Sequence, residues 1–202
     1  MAFQQKPHEQ IFDLENFFDI YPISLHLYRN NSGMTKWITT IILACFTIPG
    51  FAQVDSLTPP FKRFPSIPPV QLLLGDSTTL YTKKDIPDNK PVLVMIFSPD
   101  CSHCQHETEE ILAHKEQLKD IQIIMATFHP LWQMNEFIGN YKLQGQPHII
   151  VGKDLYLLLP GFYALHNLPF HALYDKKGEL IKVFEGSMDI EKIIQTFNEQ
   201  SH

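Results

Sequence analysis

Pro91-Val92-Leu93-Val94-Met95-Ile96-Phe97-Ser98-Pro99-Asp100-Cys101-Ser102-His103-Cys104 is the stretch on which the reading of this chain turns. Pro91 to Phe97 is a continuous apolar run of strand length, and continuous rather than alternating apolarity predicts a strand covered on both faces. A helix is expected from about Ser102 to Leu118, with Cys104, Thr108, Ile111, Leu112 and Leu118 along one stripe and the charges elsewhere. The two cysteines therefore fall at the junction of a buried strand and a helix.

That placement carries chemistry. Two intervening residues let Cys101 and Cys104 close a small ring as a disulfide, and a helix N-terminus stabilises the first sulfur as a thiolate, the nucleophilic form. The competing readings are a zinc half-site and an inert bridge. Structural zinc takes four ligands, commonly from two such knuckles, and there is no second C-x-x-C; His103 and His106 point in different directions from a helix start. An inert bridge would close too small a loop to constrain the unfolded chain much.

Working outward, Val70 to Leu74 and Thr78 to Tyr81 read as a hairpin turning at Gly75-Asp76-Ser77. Ile121 to Phe128 is a second buried strand, Trp132 to Tyr141 a helix, and Ile149 to Val151 a short strand. Asp154 to Leu165 reads as a helix interrupted at Pro160-Gly161. Phe170 to Tyr174 and Glu179 to Phe184 form a second hairpin around Asp175-Lys176-Lys177-Gly178, and Asp189 caps a closing helix bearing Ile190, Ile193, Ile194 and Phe197. This order implies an α/β fold, a central mixed sheet with helices on both faces and an N-terminal β-hairpin extension.

The chain has 202 residues, 44% hydrophobic and 19% charged, with a net charge of −6. It is too apolar for a disordered protein, and its acidic balance gives no footprint for nucleic acid. The glycines are scattered singly, without a phosphate loop or dinucleotide fingerprint, so no cofactor is expected. His129, His148, His166 and His171 are dispersed and lack metal spacing, so no metal is expected either; they read as surface or satisfied residues.

The third cysteine, Cys45, lies in the apolar run from Trp37 to Ala52, behind Met34, Thr35 and Lys36. This layout reads as a signal peptide over 34–52 cleaved near Ala52, the run being shorter than the ~20 residues of a membrane span. An uncleaved anchor, which would hold the protein to the membrane through the signal segment, and lipidation at Cys45 are the alternatives. Residues 1–33 are expected to be a non-native or disordered extension, with translation starting at Met34. Residues 53–68, rich in proline, read as an extended leader, and 69–202 as the folded domain. After cleavage Cys101 and Cys104 are the only cysteines left, in an oxidising compartment where a spare thiol is a hazard.

Strand, Cys101-Ser102-His103-Cys104, helix, and then Leu168-Pro169 before a hairpin resemble the thioredoxin superfamily, specifically the exported redoxin-like thiol-disulfide oxidoreductases of the bacterial cell envelope. The likeness spans roughly residues 69 to 199. It implies that Cys101 attacks and Cys104, more buried, resolves, and that the pair alternates between dithiol and disulfide. Pro169 would be a cis-proline facing the pair, exposing the Leu168 backbone for strand-like pairing with a substrate polypeptide. The residues themselves also allow Pro169 to be a trans proline at a strand start. Protein thiols and disulfides of the periplasm or envelope would be the partners. His103 would stabilise the Cys101 thiolate, whereas Asp100 acts in the opposite sense.

Two departures accompany the likeness. Asp100 stands where the family often carries tryptophan, and Met95 stands where many members bury an acid that takes the proton of the second cysteine, leaving Glu107 or water for that task. A peroxide reductase of the peroxiredoxin branch is the alternative enzyme; Ser98 fits its pattern, but Val94 occupies its proline position. A thiol-based metal-handling module is the alternative outside catalysis.

Overall fold

The computed structural model describes residues 58–199. The signal segment, its cleavage point, Cys45 and the stretch before Met34 lie outside the described residues.

The continuous apolar runs become the interior of the sheet. β1 (Gln71–Leu74) and β2 (Leu80–Thr82) form the first hairpin; β3 (Val92–Ile96), β4 (Gln122–Thr127) and β5 (Ile149–Asp154) are mutually parallel; β6 (Phe170–Tyr174) and β7 (Leu180–Glu185) form the second hairpin. β6 pairs antiparallel with β3, and β1 antiparallel with β5, giving one seven-stranded mixed sheet ordered β2-β1-β5-β4-β3-β6-β7. β3 has a neighbour on each side and a covered layer on each face, so all of its residues are buried, which is what an unbroken apolar strand requires.

The helices are α1 (Pro60–Arg63), α2 (Ser102–Ala113), α3 (Lys115–Leu118), α4 (Leu131–Asn140), α5 (Leu158–Tyr163) and α6 (Ile190–Glu199). Because strand side chains alternate between faces, Leu93, Met95 and Phe97 enter one core with Met125 and Leu173, roofed by Ile111, Phe137 and Ile193 of α2, α4 and α6. Val92, Val94 and Ile96 enter the other core with Ala126, Phe170 and Tyr174, roofed by Phe61, Leu159 and Tyr163 of α1 and α5. In that second core the hydroxyls of Tyr163 and Tyr174 satisfy each other at 2.6 Å, as buried polar groups must. Among the described residues no helix is long and apolar enough to cross a membrane.

Several elements differ from the sequence reading. The helix expected over 102–118 is broken at His114, whose backbone leaves the helical region (ψ 19°) while its ring Nδ1 lies 2.9 Å from the Glu110 carbonyl oxygen. Nor are the charges of α2 all on its outer side, since Glu107 lies in the buried stripe with Cys104, Thr108 and Ile111. β5 runs on to Asp154, whose carboxylate then accepts the Leu159 N–H at 2.8 Å and supports the start of α5. Pro160 and Gly161 lie within α5 rather than interrupting it; a proline in the first turn removes no helical hydrogen bond. The proline-rich segment is not merely extended either. It contains α1, buries Phe61 and Ile67, and is tied to the second hairpin by the Ile67 N–H to the Gly178 carbonyl at 3.1 Å and the Leu180 N–H to the Pro65 carbonyl at 2.7 Å.

The first hairpin reaches the sheet across Gly152, where an added Cβ would lie 2.5 Å from the Leu72 Cβ. Two backbone-anchored atoms cannot share that space, so Gly152→Ala is expected to destabilise the protein by about 1–3 kcal/mol. Chemical denaturation checks the value, and hydrogen exchange should show the loss concentrated in β1 and β2.

Candidate active site

The site is built where β3 hands over to α2. The Ser98 carbonyl accepts the Cys101 N–H at 3.1 Å, forming the turn that ends the strand. Cys101 then takes extended dihedrals (φ −85°, ψ 115°) as the N-cap residue of α2, and its Sγ accepts the Cys104 N–H at 3.3 Å. The first sulfur thus does what a capping oxygen ordinarily does, at the end of the helix that favours negative charge. It is half-buried, whereas Cys104 is fully buried at 0% exposure. The two thiols are free rather than joined.

Burial pushes the Cys104 thiol well above its usual range, and the Cys101 side chain adds to this, while a hydrogen bond from the Ser98 backbone works in the opposite sense. The pair is therefore electrostatically unequal: one sulfur sits at an open helix start, and the other is held as a neutral thiol beneath it.

Leu168 and Pro169 come to the same end of the sheet. Phe170 pairs with Ile96, so Pro169 lies beside the strand's exit toward the cysteines. The Leu168–Pro169 bond is cis, and the Pro169 carbonyl accepts the Gly186 N–H at 2.8 Å. Leu168 is half-buried and packs against both cores.

Asp100 is exposed, with its carboxylate accepting a hydrogen bond from the Gln133 amide at 2.6 Å. Gln133 Oε1 lies 3.0 Å from His129 Nδ1, and His129 Nε2 lies 3.0 Å from Ser98 Oγ. If the amide oxygen accepts from Nδ1, the Ser98 hydroxyl donates to Nε2. These contacts close a ring that holds the 98–100 turn in front of Cys101. His103 is exposed on the first turn of α2.

Sequence reasoning missed two parts of this arrangement. His129 and Gln133 belong to the ring that anchors Asp100, and His171 is no surface or satisfied residue: it is 0% exposed, and neither ring nitrogen makes a hydrogen bond. Its Nε2 lies 2.9 Å from Oε1 of Glu107, itself 2% exposed, an ion-pair distance without hydrogen-bond alignment. The other Glu107 oxygen accepts the Met188 N–H at 3.3 Å. One signal was available, since His171 alternates with Phe170 and Ala172 and so had to face the cysteine layer. Among the described residues no group of three or more His, Cys, Asp or Glu is placed to hold a metal ion.

A family profile described as a thioredoxin-like domain matches residues 82–201. The chain belongs to the thioredoxin-like domain family. No curated protein matches the sequence. Among solved structures, a secreted Mycobacterium tuberculosis disulfide oxidoreductase homologous to E. coli DsbE superposes with a TM-score of 0.53 at 12% identity, covering 63% of this chain and 92% of that one. StoA from Bacillus subtilis gives 0.52 at 17% identity, over 65% and 98% of the two chains. The exposed lipoprotein thioredoxin of Streptococcus pneumoniae gives 0.50 at 24% identity, also over 65% and 98%. At these identities the superpositions speak for the thioredoxin-like fold, in agreement with the mixed sheet covered on both faces.

The inequality of the two thioredoxin-like cysteines is directly measurable. In the folded, reduced protein Cys101 should alkylate at least about tenfold faster than Cys104 near neutral pH, because burial holds Cys104 as a neutral, shielded thiol whereas Cys101 is only half-buried. Denaturation should abolish the difference, with peptide mass spectrometry assigning each adduct. Equal rates in the folded protein would contradict the burial difference.

Proposed function

We propose that this protein is a thiol-disulfide oxidoreductase, exported through the 34–52 segment and acting on cysteine pairs of periplasmic or envelope proteins. The observation that carries this reading is the Cys101 sulfur capping α2 and accepting the Cys104 N–H at 3.3 Å, above a Cys104 with 0% exposure. Export is supported by the layout of residues 34–52, and by the printed descriptions of the similar Mycobacterium and Streptococcus proteins as secreted and exposed.

The chemistry follows from the inequality. In the reducing direction the Cys101 thiolate attacks a substrate disulfide, forming a Cys101–substrate bond while the other substrate sulfur leaves as a thiolate and takes a proton from water. Cys104 then loses its proton and attacks the Cys101 sulfur, closing the internal disulfide and expelling the second substrate thiol. The oxidising direction runs the same steps backwards. Leu168, ahead of the cis bond to Pro169, would pair through its backbone with an extended substrate beside Cys101. His103 and Asp100 would tune the Cys101 thiolate in opposite senses, with Gln133 restraining Asp100. Glu107, one helical turn beyond Cys104 on the same buried face, would take the Cys104 proton in place of the acid that Met95 replaces.

Trapping tests this reading. Cys104→Ser expressed in cells should accumulate mixed disulfides through Cys101, visible as reducible high-mass bands, and Cys101→Ser should accumulate none. No trapped species, with Cys101 still open to alkylation, would overturn it. In vitro, either serine variant should lose at least about 100-fold in catalysed reduction of a protein disulfide, because both thiols are obligatory to a full cycle.

A further inference from the structure

His171 and Glu107 are a buried titratable pair that the exchange chemistry above leaves half used. His171 is fully buried on β6, and both of its ring nitrogens lack a hydrogen bond. A histidine kept only for packing or structure finds hydrogen-bond partners when buried, because an unpaired buried polar group is costly. Here the nearest polar partner is the Glu107 carboxylate at 2.9 Å.

The position of the pair is informative. His171 stands directly opposite Met95 in the β3–β6 ladder, on the face that carries Leu173, Met95 and Cys104 into one core. Glu107 reaches that core from α2, one turn beyond Cys104, and is among the groups acting electrostatically on the Cys104 thiol. A proton-accepting group is thus present in the layer beneath Cys104 although β3 offers only a thioether there. It is assembled from the helix above and the neighbouring strand.

From this we infer that His171 is the positioning residue that makes Glu107 a proton acceptor for Cys104. The inference rests on the thiol-exchange reading and extends it. In this step Glu107 receives the proton as a carboxylate, and the His171 ring, 2.9 Å from its Oε1, fixes that carboxylate in the Cys104 layer. The Met188 N–H on the second carboxylate oxygen holds the group in place. When Cys104 resolves a mixed disulfide, its S–H bond breaks and the proton passes to Glu107. The thiolate bonds to the Cys101 sulfur, the Cys101–substrate bond breaks, and the substrate thiolate is protonated from water. Glu107 later returns its proton to solvent.

The groups that face Cys104 are few. Cys101 and Glu107 act on it from its own helix and the Ser98 backbone from the preceding turn, and His171 reaches Glu107 from β6. The side chains that β3 and α4 contribute to the core containing Cys104, among them Met95, Phe97, Met134 and Phe137, are apolar.

The experiment uses the full-length chain in a Cys45→Ser background and an aromatic disulfide whose released thiolate absorbs in the visible. Attack by Cys101 releases the first equivalent, and resolution by Cys104 releases the second. His171→Asn and His171→Leu should leave the first release unchanged and slow the second at least about tenfold at pH 6.5, part of the roughly 10²–10⁴-fold that a positioned proton acceptor supplies. The deficit should shrink above pH 9, where hydroxide deprotonates Cys104 unaided. Glu107→Gln should behave alike, and Glu107→Gln with His171→Asn should be no slower than Glu107→Gln alone. If His171→Leu does not fold, His171→Asn decides. A second release that is unchanged, slowed equally at every pH, or slowed together with the first would overturn the role of His171. Failure of the parent protein to release the first equivalent would instead overturn the thiol-exchange reading itself, and this inference with it.

Discussion

Everything at the site depends on one local constraint: the chain leaves a fully buried strand and must start a helix within a few residues. Helix starts leave backbone N–H groups without partners. Here the Cys101 sulfur takes one of them, that of Cys104. The same contact fixes the spacing of the two sulfurs, directs the first toward the surface and draws the second under the helix. Because β3 is walled in by β4 and β6 and covered on both faces, this junction cannot shift without repacking both cores. The inequality between the thiols is therefore a property of the fold as much as of the residues.

This constraint also explains which parts of the protein were legible in the sequence. The central strand, the helix start and the cysteine pair are encoded locally, in a continuous apolar run followed by turn residues and a C-x-x-C. The two hairpins were legible for the same reason, since their turn residues and both arms lie within short windows. What the sequence concealed is long-range. Glu107 could be named from the sequence as a candidate for the Cys104 proton, but nothing local shows that it is buried or that the imidazole facing it comes from β6. His129 and Gln133 likewise gain meaning only when α4 brings them to Ser98 and Asp100. The proline-rich segment was misread through its composition: prolines exclude long regular elements, but they allow one helical turn, and Phe61 and Ile67 then anchor it to the second core.

The buried polar pair gives the site a different economy from a strand-borne acid. A carboxylate on β3 would sit alone beneath the helix, whereas Glu107 is set against the His171 ring from the neighbouring strand at 2.9 Å. Met95 can then be a packing residue, filling the core beside Phe97 and Leu173. On the outer side the Ser98–His129–Gln133–Asp100 ring holds the turn that presents Cys101, so the half-buried sulfur and the fully buried one each lie beside their own polar network. The cis Leu168–Pro169 bond closes the third side of the site.

The central claim is that Cys101 and Cys104 form one two-electron redox unit. Its most direct measurement is an equilibrium titration of the full-length protein in the Cys45→Ser background across glutathione buffers, quenched with a mass-tagging alkylator and resolved by peptide mass spectrometry. The account predicts a single transition in which both cysteines leave the alkylated pool together and reappear as an internal Cys101–Cys104 disulfide. Contradiction would be Cys101 oxidising alone to a persistent glutathione adduct, with Cys104 remaining a free thiol throughout.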